Sequence, residues 1–113
     1  LLGFEQGDEE AQVSWLVDKV LTLRLFANAQ GKLDYDILQI NGSVLVVPQF
    51  TLLADIQRGR RPSFGAAAPP DDAERLYDTA VAGFGQRVPV QSGEFGADMQ
   101  VSLVNDGPFT LIL

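Results

Sequence analysis

Four β-prone residues in a row, Val44-Leu45-Val46-Val47, run straight into Pro48-Gln49-Phe50-Thr51-Leu52-Leu53. No polar residue interrupts the four, so the run is expected to form a strand buried on both faces. Proline cannot donate to a ladder. The amide and hydroxyl that follow it have no place in a continuing buried strand. A chain that breaks its own best strand with polar groups tends to do so at a site.

The length of 113 residues suits one domain, 1–113, and a hydrophobic share of 46% is enough for a core. No apolar run approaches a membrane span, and no signal peptide is recognisable. The chain starts with Leu1 rather than Met and finishes inside the apolar run Leu111-Ile112-Leu113, so further segments are expected at both ends. The net charge of −7 argues against broad nucleic-acid binding through the phosphate backbone. It leaves room for gripping only the end of a nucleic acid through a local basic cluster. There is no Cys, hence no disulfide, zinc-thiolate site or thiol nucleophile, which fits a cytosolic protein. There is also no His, which removes the Ser-His-Asp triad, the imidazole base and the imidazole metal ligand. Proton transfers would then fall to carboxylates, Lys, Tyr, backbone groups, water or the substrate itself. The glycine-rich nucleotide cradles GxGxxG and GxxxxGK[ST] are absent.

Asp8-Glu9-Glu10 opens a helix, with Asp8 as its cap and acids in its first turn. Val13, Leu16, Val17, Val20, Leu21 and Arg24 follow at helical spacing as one stripe. Trp15 lies off this stripe and is expected to pack against another element, with a partner surface as the sharper alternative. Leu25-Phe26 reads as a short strand. Lys32 to Ile40 fits either an alternating strand or a helical turn capped by Asp34 or Asp36. Asn41-Gly42 is a turn. Asp55 to Phe64 is a polar loop holding three of the eight basic residues, Arg58, Arg60 and Arg61. A solvated loop is the ordinary reading, and an anion contact is the sharper one. Gly65 to Ala68 is featureless and expected to be mobile.

Pro69-Pro70-Asp71-Asp72 begins a second helix whose buried face is Ala73, Leu76, Tyr77, Ala80, Val81 and Phe84, ending at Gly83 and Gly85. Val88-Pro89-Val90-Gln91 reads as an edge strand. Met99, Val101 and Leu103 alternate with polar residues as in a half-buried strand. Asn105-Asp106-Gly107-Pro108 turns the chain into a closing strand, Phe109 to Leu113. The order of elements predicts an α+β domain with a curved, mostly antiparallel, barrel-like sheet and two helices. The acids Asp34, Asp36, Asp55 and Asp98 are scattered along the chain, so a metal-dependent hydrolase is weakly supported.

Read physically, Pro48 can mark a bulge, Thr51 can be a structural hydrogen-bonding residue or a nucleophile, and Gly107-Pro108 can be an ordinary turn. Taken together, Pro48-Gln49-Phe50-Thr51-Leu52, Arg61-Pro62-Ser63-Phe64, Asp98-Met99-Gln100-Val101-Ser102-Leu103 and Asn105-Asp106-Gly107-Pro108-Phe109-Thr110 resemble the D-aminoacyl-tRNA deacylases. That family carries Ser-Gln-Phe-Thr-Leu after a Val-rich strand and Asn-x-Gly-Pro-Val-Thr further on. The likeness runs in order through essentially the whole chain.

The resemblance implies hydrolysis of the ester joining a D-amino acid, or glycine, to the terminal ribose of tRNA, as chiral proofreading in translation. It implies a homodimer in which each subunit inserts a cis Gly-Pro pair into the other's pocket. By position Gly107 and Pro108 read the substrate's chirality there, and Gln49, Phe50 and Thr51 line the pocket around the ester. Pro48, Phe64, Met99, Thr110 and Arg61 are implied around the tRNA end, with Arg58 and Arg60 as further phosphate contacts. No metal and no cofactor is implied, and neither membrane nor DNA is a partner. The 2′-hydroxyl of the terminal ribose takes the part of the missing base, and Thr51 is expected to position rather than attack. Pro48 stands where the family has Ser, as in related deacylases of altered selectivity, and Phe109 stands where it has Val. The family's opening strand, with an Arg close to the Gly-Pro motif, and its second strand precede the point where this chain begins. The alternative is an inactive relative that keeps the dimer as a tRNA-end or nucleotide-binding module.

Overall fold

The computed structural model describes residues 1–113. The elements follow one another as α1 (Glu10–Thr22), β1 (Phe26–Ala27), β2 (Leu33–Tyr35), β3 (Val44–Val46), a 3-10 turn (Phe50–Leu53), α2 (Pro70–Gly85) and β4 (Val90–Ser92). The architecture is α+β with two helices, as expected.

Glu9, not Asp8, caps α1, through a reciprocal pair with Gln12. The Glu9 N–H donates to Gln12 Oε1 at 2.9 Å. Asp8 is occupied one step earlier, its Oδ2 accepting the Glu5 N–H at 2.8 Å. Val13, Val17 and Leu21 are the buried stripe of α1. Trp15 is 57% exposed and packs under no other element. Lys19, one turn on, holds its Nζ 5.7 Å from the ring centroid, a cation–π geometry.

Helix α2 enters on Pro70 with Asp71 and Asp72 in its first turn, where acids meet the positive end of the helix dipole. Its buried residues, Ala73, Leu76, Tyr77, Ala80 and Phe84, join those of α1 and Phe4, Val46 and Val88 in one core. The expected face is therefore the observed one, with Val81 only half-buried.

Strands β1 and β2 pair antiparallel, but β3 and β4 pair parallel, with Val44 opposite Val90 and Val46 opposite Ser92. Parallel neighbours need a crossover of a dozen or more residues, and the segment containing α2 supplies it. Residues near the start of the chain extend this ladder on its other side. The Leu2 N–H donates to the Val47 oxygen at 2.9 Å, and the Gln49 N–H to the Leu2 oxygen at 2.7 Å. The helices cover one face of the ladder, so Leu45 on the opposite face is 56% exposed. The expectation of burial on both faces fails for that reason.

The Lys32–Ile40 stretch uses both of its alternatives in turn. After β2, Asp36 and Gln39 exchange hydrogen bonds, each backbone N–H donating to the other's side chain at 2.9 Å. Asn41 then turns with φ of 53°, a left-handed conformation that asparagine tolerates. Residues 65–68 are pinned rather than free. Gln6 N–H donates to the Ala66 oxygen at 2.9 Å and Ala68 N–H to the Phe4 oxygen at 2.8 Å.

The two strands expected beyond Met99 do not form. Residues 101–113 are exposed throughout, and no backbone hydrogen bond involves residues 98–113. Their one local structure is a turn in which Asn105 Oδ1 accepts the Phe109 N–H at 2.8 Å and Asn105 Nδ2 donates to Thr110 Oγ1 at 2.9 Å. This arm helps raise the radius of gyration to 15.5 Å, against about 13 Å for a compact chain of this length. Alternation specifies a half-buried strand but not its partner, and this chain offers no edge beside the arm.

Candidate functional site

The chain changes direction where β3 ends. Pro48 closes the strand, Gln49 donates from Nε2 to Thr51 Oγ1 at 2.5 Å, and the 3-10 turn begins at Phe50. The first N–H groups of such a turn have no acceptor within it. Those of Phe50 and Thr51 find none elsewhere in the backbone. Phe50 and Thr51 are both exposed. The Phe50 ring meets Phe64 edge-on, with centroids 5.0 Å apart at 71°.

Two glycines let other segments close on this turn. A Cβ on Gly3 would lie 2.7 Å from the Gln49 carbonyl oxygen, and one on Gly93 would lie 2.8 Å from Met99 Sδ and 3.2 Å from Pro48 Cδ. Met99 and Pro48 therefore share the space left open above Gly93. Beneath them, the Tyr77 hydroxyl lies 2.9 Å from both the Val46 and the Gly93 carbonyl oxygens, and its one proton serves that pair. Gly93 N–H also donates to the Val46 oxygen at 2.8 Å. Burial pushes the Tyr77 phenol above its ordinary value. A hydrogen bond from Ser92 opposes this, the Asp78 charge adds to it, and the Gly93 backbone contact also opposes it.

Pro48, Gln49, Phe50, Thr51, Phe64 and Met99 are thus brought to one place from three parts of the chain. Gly107, Pro108 and Thr110 are not. They lie on the exposed arm, where the only atoms within 4 Å of a Cβ placed on Gly107 belong to Phe109. The Gly107-Pro108 peptide is cis. Arg58, Arg60 and Arg61 lie on the loop that leaves the 3-10 turn and returns at Phe64. Tyr77 was legible only as a core aromatic and Gly93 not at all, because their contacts join segments far apart in sequence. A cavity of ≈ 20 Å³ bordered by Gly3, Pro48, Gln49, Phe50 and Tyr77 has room for about one water. One chain therefore presents an open surface here, not an enclosed pocket.

A family model described as D-Tyr-tRNA(Tyr) deacylase matches residues 1–113. A D-aminoacyl-tRNA deacylase of Aliivibrio salmonicida (strain LFI1238) is 52% identical over 113 residues, spanning 100% of this chain and 78% of that protein. One from Pasteurella multocida (strain Pm70) is 51% identical over the same length, again 100% of this chain and 78% of that protein. Among solved structures, c-Myc DNA Unwinding Element Binding Protein matches with a TM-score of 0.87 at 32% identity, covering 96% of this chain and 74% of that one. A structure described as a probable eukaryotic D-amino acid tRNA deacylase shares the fold, with a TM-score of 0.69 at 17% identity over 85% of this chain and 73% of that one. By the whole-length family match and the identity to these relatives, this chain is a member of the D-Tyr-tRNA(Tyr) deacylase family.

Proposed function

We propose that this protein is a hydrolase that cleaves the ester joining a D-amino acid to the terminal ribose of tRNA. Water adds to the ester carbonyl, the bond to the ribose oxygen breaks, and that oxygen takes up a proton. The products are the free amino acid and tRNA. Membership of the deacylase family carries deacylation of D-aminoacyl-tRNA itself. The observation that best supports placing it at the 3-10 turn is the pair of backbone N–H groups at Phe50 and Thr51. They lack backbone acceptors and open onto an exposed surface beside Phe64 and Met99. Donors fixed in this way stabilise the oxyanion that develops as water adds.

The finer features follow from the chemistry available. With no His or Cys, the terminal 2′-hydroxyl assists the attacking water, and Gln49 and Thr51 position the ester. Phe64 and Met99 wall the terminal adenine, with Pro48 beside them, and Arg61 meets the tRNA end. The working form is a homodimer acting in the cytoplasm, and no helix is long and apolar enough to cross a membrane. Each subunit's Gly107 and Pro108 enter its partner's site, read the substrate's amino group with main-chain oxygens and leave no room for an L side chain. Thr110 braces that turn through Asn105. In support, the arm bearing these residues exposes Leu103, Val104, Leu111 and Ile112, with Val104 at 92% and Ile112 at 97%. A run of this kind needs a partner to bury it. Glycine, which has no side chain to exclude, is accepted as well.

The test is release of amino acid from D-tyrosyl-, glycyl- and L-tyrosyl-tRNA, alongside sedimentation to establish the dimer. Release of the first two with the L-ester spared is the expected result. A folded dimer that releases none of them overturns the proposal. Binding of the tRNA end without turnover would instead favour an inactive binding module, a reading that the replacement of the family's Ser by Pro48 supports.

A further inference from the structure

The cations of this chain divide sharply by position. Arg24 pairs with Asp34, Arg75 with Glu10 at 3.2 Å, and Arg87 with Asp18 at 3.0 Å. Lys19 sits over the Trp15 ring. Five cations have no carboxylate within ion-pair distance: Lys19, Lys32 and the loop residues Arg58, Arg60 and Arg61. The three arginines are exposed and sit within four consecutive positions. The one acid of their loop, Asp55, lies within ion-pair distance of none of them, and its Oδ1 accepts the Gln57 N–H at 2.9 Å. Elsewhere the chain is acidic, since its net charge is −7 with these arginines included.

The loop is also fixed at its base. Asp55 N–H donates to the Ser63 oxygen at 2.8 Å and Ser63 N–H to the Asp55 oxygen at 2.9 Å. One end of this bridge continues from the 3-10 turn, and the other runs directly into Phe64, whose ring contacts Phe50. The arginines lie two or three residues from the bridge, so their Cα atoms are held within about 11 Å of it. Guanidinium groups held unpaired on an acidic body attract one class of partner, a polyanion whose phosphates they can clasp in bidentate fashion. The acidic remainder repels such a partner everywhere else.

We infer that the Arg58–Arg61 loop is a phosphate grip for the single-stranded end of the tRNA, holding the nucleotides just before the terminal adenosine. This rests on the deacylase reading for the identity of the RNA. It adds that affinity is gained from the backbone outside the ester site and depends on charge at this loop alone. Each phosphate neutralised on a single strand contributes about 0.7 to the slope of log affinity against log salt. Three contacts therefore give a slope near −2, or roughly a 20-fold loss of affinity between 50 and 200 mM salt.

The experiment measures binding of an uncharged RNA hairpin bearing the single-stranded tRNA acceptor end, across a series of KCl concentrations. The proteins are the parent, the triple variant Arg58→Gln/Arg60→Gln/Arg61→Gln and the matching triple Lys variant. The expected result is a slope of about −2 or steeper for the parent, flattened by about 2 in the Gln variant and kept in the Lys variant. A hairpin with a blunt end should show no difference between parent and Gln variant. A Gln variant with the parent's slope overturns the inference, as does equal weakening on the blunt hairpin or a parent that does not bind. Since the RNA is uncharged, failure to hydrolyse D-aminoacyl-tRNA is a separate result that leaves this one standing.

Discussion

Replacing Tyr77 by Phe removes one oxygen and leaves a ring of nearly the same volume in the core. The residue is 3% exposed, so water cannot replace the lost partner. The Val46 oxygen keeps the Gly93 N–H at 2.8 Å. The Gly93 oxygen has no other donor in the chain once the phenol, now at 2.9 Å, is gone. One net hydrogen bond and one partly stranded carbonyl cost about 1–2 kcal/mol. Urea denaturation at pH 7 should show this as a lower midpoint with an unchanged slope. The same variant also tests the direction of the phenol's pKa. Burial raises it above 10.0 in the folded state, so above pH 10 the folded protein holds a proton that the unfolded chain releases. Stability from this group is therefore fully present below pH 10 and is lost as pH rises through the folded value. The gap between parent and Tyr77→Phe should be constant from pH 7 to 9 and narrow above pH 10. A variant as stable as the parent at pH 7, or a gap that stays constant to pH 11, refutes the reasoning.

Leu21 is 0% exposed, and Leu21→Ala should lose about 2–5 kcal/mol in urea denaturation; a loss under about 1 kcal/mol contradicts the core described here. Gly93→Ala places a methyl 2.8 Å from Met99 Sδ and 3.2 Å from Pro48 Cδ. Because the thioether is flexible, the stability cost should be only about 1 kcal/mol, while KM for charged tRNA rises several-fold; an unchanged KM argues against Met99 as a wall of the site. Thr51→Val should lower kcat by less than about tenfold, within the range of a single positioning contact; a trapped acyl ester on Thr51 in the parent would show it to be the nucleophile. Arg24→Met breaks an ion pair whose arginine is 65% exposed and should cost under about 1 kcal/mol, read from thermal melts.

Both helices were legible from residue spacing because their cores are written every three or four positions. Ala73, Leu76, Tyr77, Ala80 and Phe84 are buried as their period requires. The motif around Gln49 was legible because Pro48 ends a strand by a rule of covalent geometry. The strand itself was misjudged at Leu45, because an uninterrupted apolar run does not say which faces neighbouring elements cover. The segments 65–68 and 98–113 were misjudged in opposite directions. Ala66 and Ala68 look featureless until Gln6 and Phe4 bond to them. Met99 to Leu103 looks like a strand until no edge is found beside it.

By itself the sequence determined the α+β class, the helix faces and the motif residues, since these depend on periods and backbone rules spanning a few positions. It also set the terms of the chemistry by withholding His and Cys. Only the tertiary structure decided that Pro48 and Met99 meet over Gly93, that Tyr77 ties α2 to β3 beneath them, and that Arg58, Arg60 and Arg61 stand unpaired while Arg24, Arg75 and Arg87 do not. Apart from the Gly93–Met99 and Arg24–Asp34 contacts, six and ten positions apart, those outcomes join residues 16 to 69 positions apart. Contacts at such range are chosen by how the whole chain packs and by which partner is nearest, and neither is encoded in any local stretch.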